Sequence, residues 1–226
     1  MTDCMVDVAV YGHLTHDLIF ENFEEKNTLG AMANFWYGLT KSDYSIKLKL
    51  VPSSIGKAII LVDKKTSMRI GRGDLNIHTR TISPVKSKWH HIMYLNQLKD
   101  CSFIDNIKDG VLSADITAGP PPSLELLSKL DYLFISDEDL FMEVQELSSI
   151  VKGWVIMHHS GGSICSDGSD TFETKTGIIE NLNVLGAGDM FAASFISKKV
   201  TECNSLVKKC VEYAHTHTTE ILLGVA

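Results

Sequence analysis

The strongest structural signal in this chain is the segment NVLGAGDMFAASF, residues 183–195. Two glycines flank Ala187 at the start of an apolar helical run, and Asp189 falls in its first turn. Glycine lets the backbone turn sharply and approach a ligand closely. The first amides of a helix lack intrahelical partners, and together with the helix dipole they favour a bound anion. The segment therefore predicts an anion site at a helix start, with a carboxylate beside it.

Phosphoryl transfer is the chemistry that suits such a site, because it depends on positioning and charge stabilisation rather than on covalent catalysis. We predict that the backbone of Gly186, Ala187 and Gly188 forms an anion hole for the transferred phosphoryl group. Asp189 would accept the proton of the acceptor hydroxyl. An aspartate in a first turn also simply complements the helix dipole. The motif alone leaves both interpretations open.

Size and composition narrow the possible classes of protein. The chain has 226 residues, which suits one domain with a large core, and its net charge of −7 argues against nucleic-acid binding. No apolar run reaches the ~20 residues of a membrane span, and the N-terminus does not resemble a secretory signal. The five cysteines are widely spaced and form no C-x-x-C pair. We therefore expect reduced thiols and a cytoplasmic protein.

The order of apolar segments predicts an α/β fold. A short apolar run at Val6–Tyr11 indicates a buried strand, and Gly30–Lys41 has helical spacing. Residues 46–82 alternate between apolar and polar, which is typical of a sheet with one wet face. From His91 onward, strand and helix patterns alternate. We predict one domain, residues 1–226, with a mostly parallel central sheet flanked by helices. A small antiparallel β lid would come from about residues 46–82 and part of the N-terminal region.

The segment around Asp189 resembles the C-terminal signature of ribokinase-like, or PfkB-type, sugar and nucleoside kinases, which is close to D-T-x-G-A-G-D-x-F-x-x-x-F. The matching residues are Gly186, Ala187, Gly188, Asp189, Phe191 and Phe195. Asn183 and Val184 stand where the family has Asp-Thr. In that family the missing Asp helps to arrange the metal and monovalent-cation environment.

Weaker matches follow in the family's order along the chain. Asp17 lies where the family has its sugar-binding Asp, and Gly30 and Asn34 match part of the segment that lines the sugar pocket. Ser54–Asp63 resembles the lid strand, and Asp115 with Gly119-Pro120 resembles a conserved strand end. The resemblance implies that Asp17, Gly30 and Asn34 bind the acceptor.

Two segments depart from the family pattern. Ser136-Asp137-Glu138-Asp139 replaces an Asn-x-x-Glu motif tied to magnesium and phosphate, so Asp139 is the candidate metal ligand. A Thr-x-Gly segment near the nucleotide is replaced by residues that include Gly161 and Gly162, the candidate nucleotide-binding residues. The resemblance implies ATP and Mg²⁺ as cofactors and leaves a need for K⁺ open.

The function that we predict is ATP-dependent phosphorylation of a hydroxymethyl group on a small sugar or sugar-like molecule. The altered segments leave a second interpretation open, a catalytically impaired protein of the same fold that binds ligands or regulates. The expected partners are a nucleotide and a small sugar or nucleoside-like substrate, with neither nucleic acid nor membrane. An exposed strand edge in the lid presents unpaired backbone groups that can bind another chain. Pairing with a second copy would cover this edge, so we expect a homodimer through the lid.

Overall fold

The structure is a computed structural model that describes residues 5–21, 24–62, 69–179 and 184–226. In this part of the chain ten strands form one sheet. The strands are β1 (Val6–Glu21), β2 (Glu24–Thr28), β3 (Leu48–Val62), β4 (Arg69–Thr79), β5 (Ser87–Ile92), β6 (Val111–Asp115), β7 (Tyr132–Ser136), β8 (Trp154–His159), β9 (Gly162–Ser166) and β10 (Thr171–Lys175).

The strand order is β10-β9-β8-β7-β6-β5-β1-β3-β4, with β2 paired to β1 off this path. Strands β3, β1, β5, β6, β7 and β8 run parallel to one another. The hairpin β9–β10 is antiparallel and extends the sheet beyond β8. A mostly parallel sheet needs both faces covered, and here helices cover them. The predicted fold class is confirmed.

The helices are α1 (Gly30–Lys41), α2 (Leu124–Leu127), α3 (Val144–Ser148), α4 (Ala187–Thr201) and α5 (Val207–Leu223). Short 3-10 helices occupy Leu95–Gln97, Ser102–Asn106 and Asp137–Asp139. None of the helices in the described ranges is both long enough and apolar enough to span a membrane.

Two hydrophobic cores lie on opposite faces of the sheet, and β1 contributes to both. Val8 and Val10 pack with α1, α4 and α5, whereas Ala9 and Tyr11 pack with the cluster that contains α2 and α3. Successive side chains of a strand point to opposite faces, so one fully buried strand supplies both layers. This arrangement places α1 and α4 side by side on one face of the sheet.

The lid is built from the outer halves of long strands that begin in the central sheet. Val8–Gly12 of β1 pairs with Leu48–Pro52 of β3, and after a register shift between Gly12 and His13 the two strands continue, still parallel. The antiparallel pairs β1–β2 and β3–β4 complete the lid. Residues 48–52 therefore belong to the central sheet, and only the later part of the predicted range forms the lid.

Three local sequence patterns differ from the structure. The apolar run at Val6–Tyr11 predicts a short strand, whereas β1 runs to Glu21. The polar segment from Glu21 to Thr28 predicts a loop, but it contains β2. Backbone pairing with β1 makes Glu24–Thr28 a strand despite its polar side chains, because ladder hydrogen bonds do not require apolar residues. Apolar residues at helical spacing from Leu140 to Val151 predict one helix, whereas the short α3 begins at Val144 and ends at Ser148.

Candidate active site

The carboxyl ends of four neighbouring parallel strands meet near the start of α4. Tyr94 follows β5, Asp115 ends β6, Ser136 ends β7 and His158 lies near the end of β8. A Cβ atom on Gly188 would lie 3.2 Å from the His158 ring, so β8 directly abuts the first turn of α4. In open α/β sheets the crevice outside the strand carboxyl ends is the usual ligand site.

The start of α4 is a tight turn that requires glycine. Gly186 has φ 79° and ψ 4°, the values of the third position of a type II turn, and the Ala187 amide donates to the Val184 carbonyl at 3.0 Å. The first helical bond follows, from the Met190 amide to the Gly186 carbonyl at 3.0 Å. The turn itself therefore uses the Ala187 amide, one of the donors predicted for the anion hole.

The Asp189 side chain is 5% exposed and is held by donors from two other elements. Asn34 Nδ2 of α1 donates to Asp189 Oδ2 at 2.9 Å, and the Tyr94 hydroxyl donates to Asp189 Oδ1 at 3.4 Å. Hydrogen bonds to a carboxylate favour its ionised form. Residues 186–188 beside it are only partly buried, so the turn reaches solvent while the carboxylate is covered.

Helix α1 connects Asp189 to the lid. Its first residue, Gly30, has φ 67°, and a Cβ atom there would lie 2.0 Å from Thr15 Oγ1 and 3.1 Å from Asp17 Oδ2. One turn further along, Asn34 contacts Asp189. A Cβ atom on Gly38 would lie 3.0 Å from the Ala193 Cβ, which shows how closely α1 packs on α4. The three residues predicted to bind the acceptor, Asp17, Gly30 and Asn34, therefore form a continuous series of neighbours that reaches Asp189.

Asp17 lies on the inner face of the lid strand β1 and is buried. Burial raises the pKa of Asp17, while a hydrogen bond from Thr15 opposes the rise. Its Oδ1 has no hydrogen-bond partner among the described residues. An unsatisfied buried acceptor costs about 1–3 kcal/mol, so a donor such as a ligand hydroxyl would be favoured there.

Comparison with known proteins gives structural matches and no sequence match. Neither a protein-family model nor a curated protein matches the chain. The adenosine kinase from Sinorhizobium meliloti is 12% identical, with a TM-score of 0.71 over 97% of this chain and 94% of that one. A ribokinase from Thermotoga maritima is 14% identical, with a TM-score of 0.70 over 98% and 93%.

A third match is a pyrophosphate-dependent kinase in the ribokinase family, 13% identical, with a TM-score of 0.70 over 94% of each chain. All three matches cover nearly the whole length of both proteins. The chain has a ribokinase-like fold.

Within the ribokinase-like fold, Asp139 lies just after β7 in the 3-10 helix that Ser136 caps. Ser136 Oγ donates to Asp139 Oδ2 at 2.8 Å and accepts from the Asp139 amide at 3.2 Å. No group of three or more His, Cys, Asp or Glu side chains suited to a metal occurs in the described ranges. Mg²⁺ commonly uses one or two carboxylates plus substrate phosphates, so the half-buried Asp139 fits a site that the phosphates complete.

The candidate nucleotide-binding residues, Gly161 and Gly162, form the turn between β8 and β9. Gly162 has φ 144°, and a Cβ atom there would lie 1.8 Å from the Thr174 carbonyl oxygen. The hairpin backbone therefore requires glycine at position 162 whether or not a nucleotide binds. The Gly161–Gly162 turn follows His158, which lies against Gly188. The turn therefore lies at the edge of the ribokinase-like sheet where the parallel strands end.

Two residues that sequence analysis did not select also face this region. Tyr94 contacts Asp189, and His13 lies at the register shift where β1 enters the lid. His13 is 3% exposed, and neither ring nitrogen has a hydrogen-bond partner among the described residues. Burial lowers the pKa of His13. Asn183 and Asp63, which the resemblance singled out, lie outside the described residues.

Proposed function

We propose that this protein transfers the terminal phosphoryl group of ATP to a hydroxymethyl group of a small sugar or sugar-like acceptor. The observation that carries the proposal is the hydrogen bond from Asn34 to Asp189, which joins residues 155 positions apart in the chain. It connects the candidate acceptor site with the candidate phosphoryl site. Structural similarity to ribokinase and adenosine kinase over nearly the whole chain supports the same chemistry.

The acceptor would lie between the inner face of the lid and the start of α4. Asp17 offers a buried oxygen without a partner among the described residues, and the absence of a side chain at Gly30 lets Thr15 and Asp17 approach the start of α1 closely. Asn34 has both a donor and an acceptor group, so it is able to hold Asp189 and a sugar hydroxyl together. These groups would direct one hydroxyl of the acceptor towards Asp189.

Asp189 would accept the proton of that hydroxyl as the bond to phosphorus forms. Its two oxygens already receive hydrogen bonds from Asn34 and Tyr94, which fixes the carboxylate in one orientation. The backbone of the first turn of α4 would stabilise the transferred group, chiefly through the amides of Gly188 and Asp189. Because the Ala187 amide is engaged by Val184, this anion hole has fewer donors than the sequence predicts.

Asp139 would hold Mg²⁺, with Gly161 and Gly162 next to the nucleotide. Bound Mg²⁺ would neutralise charge on the phosphates of the donor. The donor itself needs direct testing, since one of the compared kinases is described as pyrophosphate-dependent. A requirement for K⁺ is tested by comparing activity in potassium and sodium salts.

The test is phosphoryl transfer by the wild type and by Asp189→Asn. Pentoses, hexoses, polyols and nucleosides are offered with Mg²⁺ and either ATP or pyrophosphate, and the phosphorylated product is quantified. We expect turnover with at least one acceptor and a loss of about 10²–10⁴-fold in Asp189→Asn, the usual contribution of a general base.

Asp170→Asn is the matched control, because Asp170 lies at the exposed corner of the β9–β10 hairpin. This variant should keep wild-type turnover. Full activity in Asp189→Asn, or the absence of turnover by the wild type with every acceptor and both donors, would contradict the proposal.

The second candidate is a ligand-binding protein of the same fold without turnover. The engagement of the Ala187 amide and the Ser136–Asp139 hydrogen bond favour it, because both reduce the groups open to phosphate or metal. It predicts that Mg²⁺–ATP or an acceptor raises the melting temperature in a thermal-shift assay while no phosphorylated product appears.

A further inference from the structure

Tyr94 has an unusual backbone conformation. Its φ of 53° and ψ of 56° are left-handed, and it is the one non-glycine residue with a positive φ among those the structure describes. Left-handed backbone at a bulky residue is strained and persists where neighbouring groups hold it. Such outliers concentrate at functional sites, so the contacts of Tyr94 are informative.

A buried carboxylate holds the Tyr94 backbone. The Tyr94 amide donates to Asp115 Oδ1, and Asp115 Oδ2 lies 3.6 Å from His91 Nε2. Both Asp115 and His91 are buried. The conformation of Tyr94 is therefore set by the end of β6 rather than by its own sequence neighbours.

A directed chain of polar groups lies behind Asp115. Trp89 Nε1 donates to Ser113 Oγ at 2.7 Å, and Ser113 Oγ lies 2.8 Å from His91 Nδ1. A carboxylate accepts only, so the histidine tautomer with its proton on Nε2 suits Asp115, and Nδ1 then accepts from Ser113. The hydrogen-bonded series of Trp89, Ser113 and His91 thus ends beside Asp115, which His91 Nε2 faces at a distance too long for a hydrogen bond.

This arrangement places the Tyr94 hydroxyl 3.4 Å from Asp189 Oδ1. Burial and the neighbouring carboxylates Asp189, Asp115 and Asp17 raise the pKa of Tyr94 well above its ordinary value. The hydroxyl therefore stays protonated over the whole range in which enzymes are assayed. It is a permanent donor to one oxygen of Asp189, while Asn34 serves the other.

We propose that Tyr94 is a positioning residue for Asp189, held in its left-handed conformation by Asp115 so that its hydroxyl fixes and stabilises the Asp189 carboxylate. The proposal rests on the proposed function in that Asp189 is the base. It adds a part of the site that neither the signature nor the resemblance includes. Removing the hydroxyl should leave the Asp189 carboxylate less well oriented to accept a proton from the substrate. It should also raise the pKa of Asp189.

The sign of the pH effect follows from the groups that surround Asp189. Asn34 and the Tyr94 hydroxyl stabilise the ionised carboxylate, and His158 lies against Gly188 next to it. Asp17 and Asp115 are close enough to the Tyr94 hydroxyl to raise its pKa, which keeps that hydroxyl a donor. Losing this donor removes a hydrogen bond that favours the ionised carboxylate and therefore raises the pKa of Asp189, so activity fails at a higher pH as the solution is acidified.

The experiment is the pH dependence of kcat/KM for wild type and Tyr94→Phe. We expect the acid limb to move upward by about one pH unit, which corresponds to about a 10-fold loss below the limb. Tyr132→Phe is the matched control, since Tyr132 packs on Trp89 and Phe195 away from Asp189. It should leave the acid limb in place.

Asp115 supplies the rescue test. Asp115→Asn keeps an oxygen that accepts the Tyr94 amide, so its acid limb should stay within a few tenths of a pH unit of the wild type. Asp115→Ala removes that acceptor and should reproduce the shift of Tyr94→Phe. A purely structural role for Tyr94 predicts lower stability in these variants with an unmoved acid limb, and that result would overturn the proposal.

A titration of the Asp189 carboxyl by ¹³C NMR, assigned with Asp189→Asn, separates this proposal from the proposed function. A midpoint that is higher in Tyr94→Phe than in wild type supports the positioning role whether or not the protein turns over. An unchanged midpoint rejects that role even in an active kinase. Full phosphoryl transfer by Asp189→Asn rejects the function and leaves the hydrogen bond measurable.

Discussion

Gly186 admits no larger side chain, for two independent reasons. Its φ of 79° is left-handed, and a Cβ atom there would lie 2.5 Å from Asn34 Nδ2 and 2.6 Å from Asn34 Cγ. The same Asn34 Nδ2 donates to Asp189. The glycine thus does more than relax the backbone, because it leaves room for the side chain that holds the candidate base.

We predict that Gly186→Ala lowers the free energy of unfolding by about 1–3 kcal/mol and reduces kcat/KM by at least about 10-fold, because the methyl group displaces Asn34. Gly177→Ala is the control, since a Cβ atom at Gly177 meets nothing within 4 Å. Denaturant unfolding and the transfer assay measure both effects. If the two variants behaved alike in both assays, the close approach of Asn34 to Gly186 would contribute neither to stability nor to activity.

Some residues of the candidate site are indicated by sequence motifs, and others are not. Asp189, Asn34 and Gly30 lie in motifs with glycines and polar residues at definite spacing, and the structure brings them together. Tyr94 follows an apolar strand, and in the sequence it resembles a further residue of that strand. Its left-handed conformation is imposed by the distant Asp115, so the residues around Tyr94 in the sequence do not reveal it. The orphan nitrogens of His13 likewise arise from burial between distant segments.

Helix α5 illustrates an element that its own sequence specifies. Its apolar repeat predicts a helix that stops at Gly224, and α5 spans Val207–Leu223. Gly224 has φ 71°, and the bonds from Gly224 to Ile221 and from Val225 to Glu220 form a Schellman cap. By contrast, α3 is shorter than its apolar repeat predicts, because Leu140 and Phe141 pack against the core before the helix begins at Val144.

The contact between α5 and β9 makes stability sensitive to acid. Ser163 Oγ lies 2.6 Å from His215 Nε2, and burial, with a smaller contribution from His159, lowers the pKa of His215 to about 4. The unfolded chain takes up a proton near the ordinary value of 6.5, whereas the folded protein does so only near 4. Falling pH between these values therefore favours unfolding.

We predict that the wild type loses about 1–2 kcal/mol of unfolding free energy through His215 as the pH falls from 6.5 to 4, after allowance for solvent screening of a partly exposed ring. His215→Gln keeps an acceptor for Ser163 and does not titrate, so its stability should fall less over this range. His78→Gln, at an exposed lid position, is the control. Parallel stability curves for wild type and His215→Gln would rule out this source of acid sensitivity.

At the scale of the whole molecule, the lid and the central sheet share strands. Because β1 and β3 run through both, the register shift at Gly12–His13 lies within strands that the lid and the sheet share. The sequence predicts a separate antiparallel lid, since alternation reports a half-exposed strand and does not reveal that the strand began in the core. Continuity of the strands fixes Asp17 relative to the strand ends around Asp189.

The outer face of the lid has exposed apolar side chains, and we propose that a second copy of the chain covers it. Ile59, Leu61 and Ile70 are 51%, 53% and 66% exposed, and Leu61 pairs in register with Ile70. Lys57 pairs in register with Asp74 on the same face. In a two-fold interface each copy's lysine is able to meet the other's aspartate, so this face is self-complementary. Contiguous apolar patches are uncommon on soluble monomers.

We therefore predict that sedimentation equilibrium at micromolar concentration gives twice the 25.0 kDa chain mass for the wild type. Leu61→Glu places a charge in the centre of the patch, and burying it against a second apolar face costs several kcal/mol, so this variant should be monomeric. Ile178→Glu is the control, because Ile178 is 71% exposed and lies after β10, outside the lid. It should remain dimeric. A wild-type mass of one chain would remove the lid interface, and a dimeric Leu61→Glu would place the interface elsewhere on the molecule.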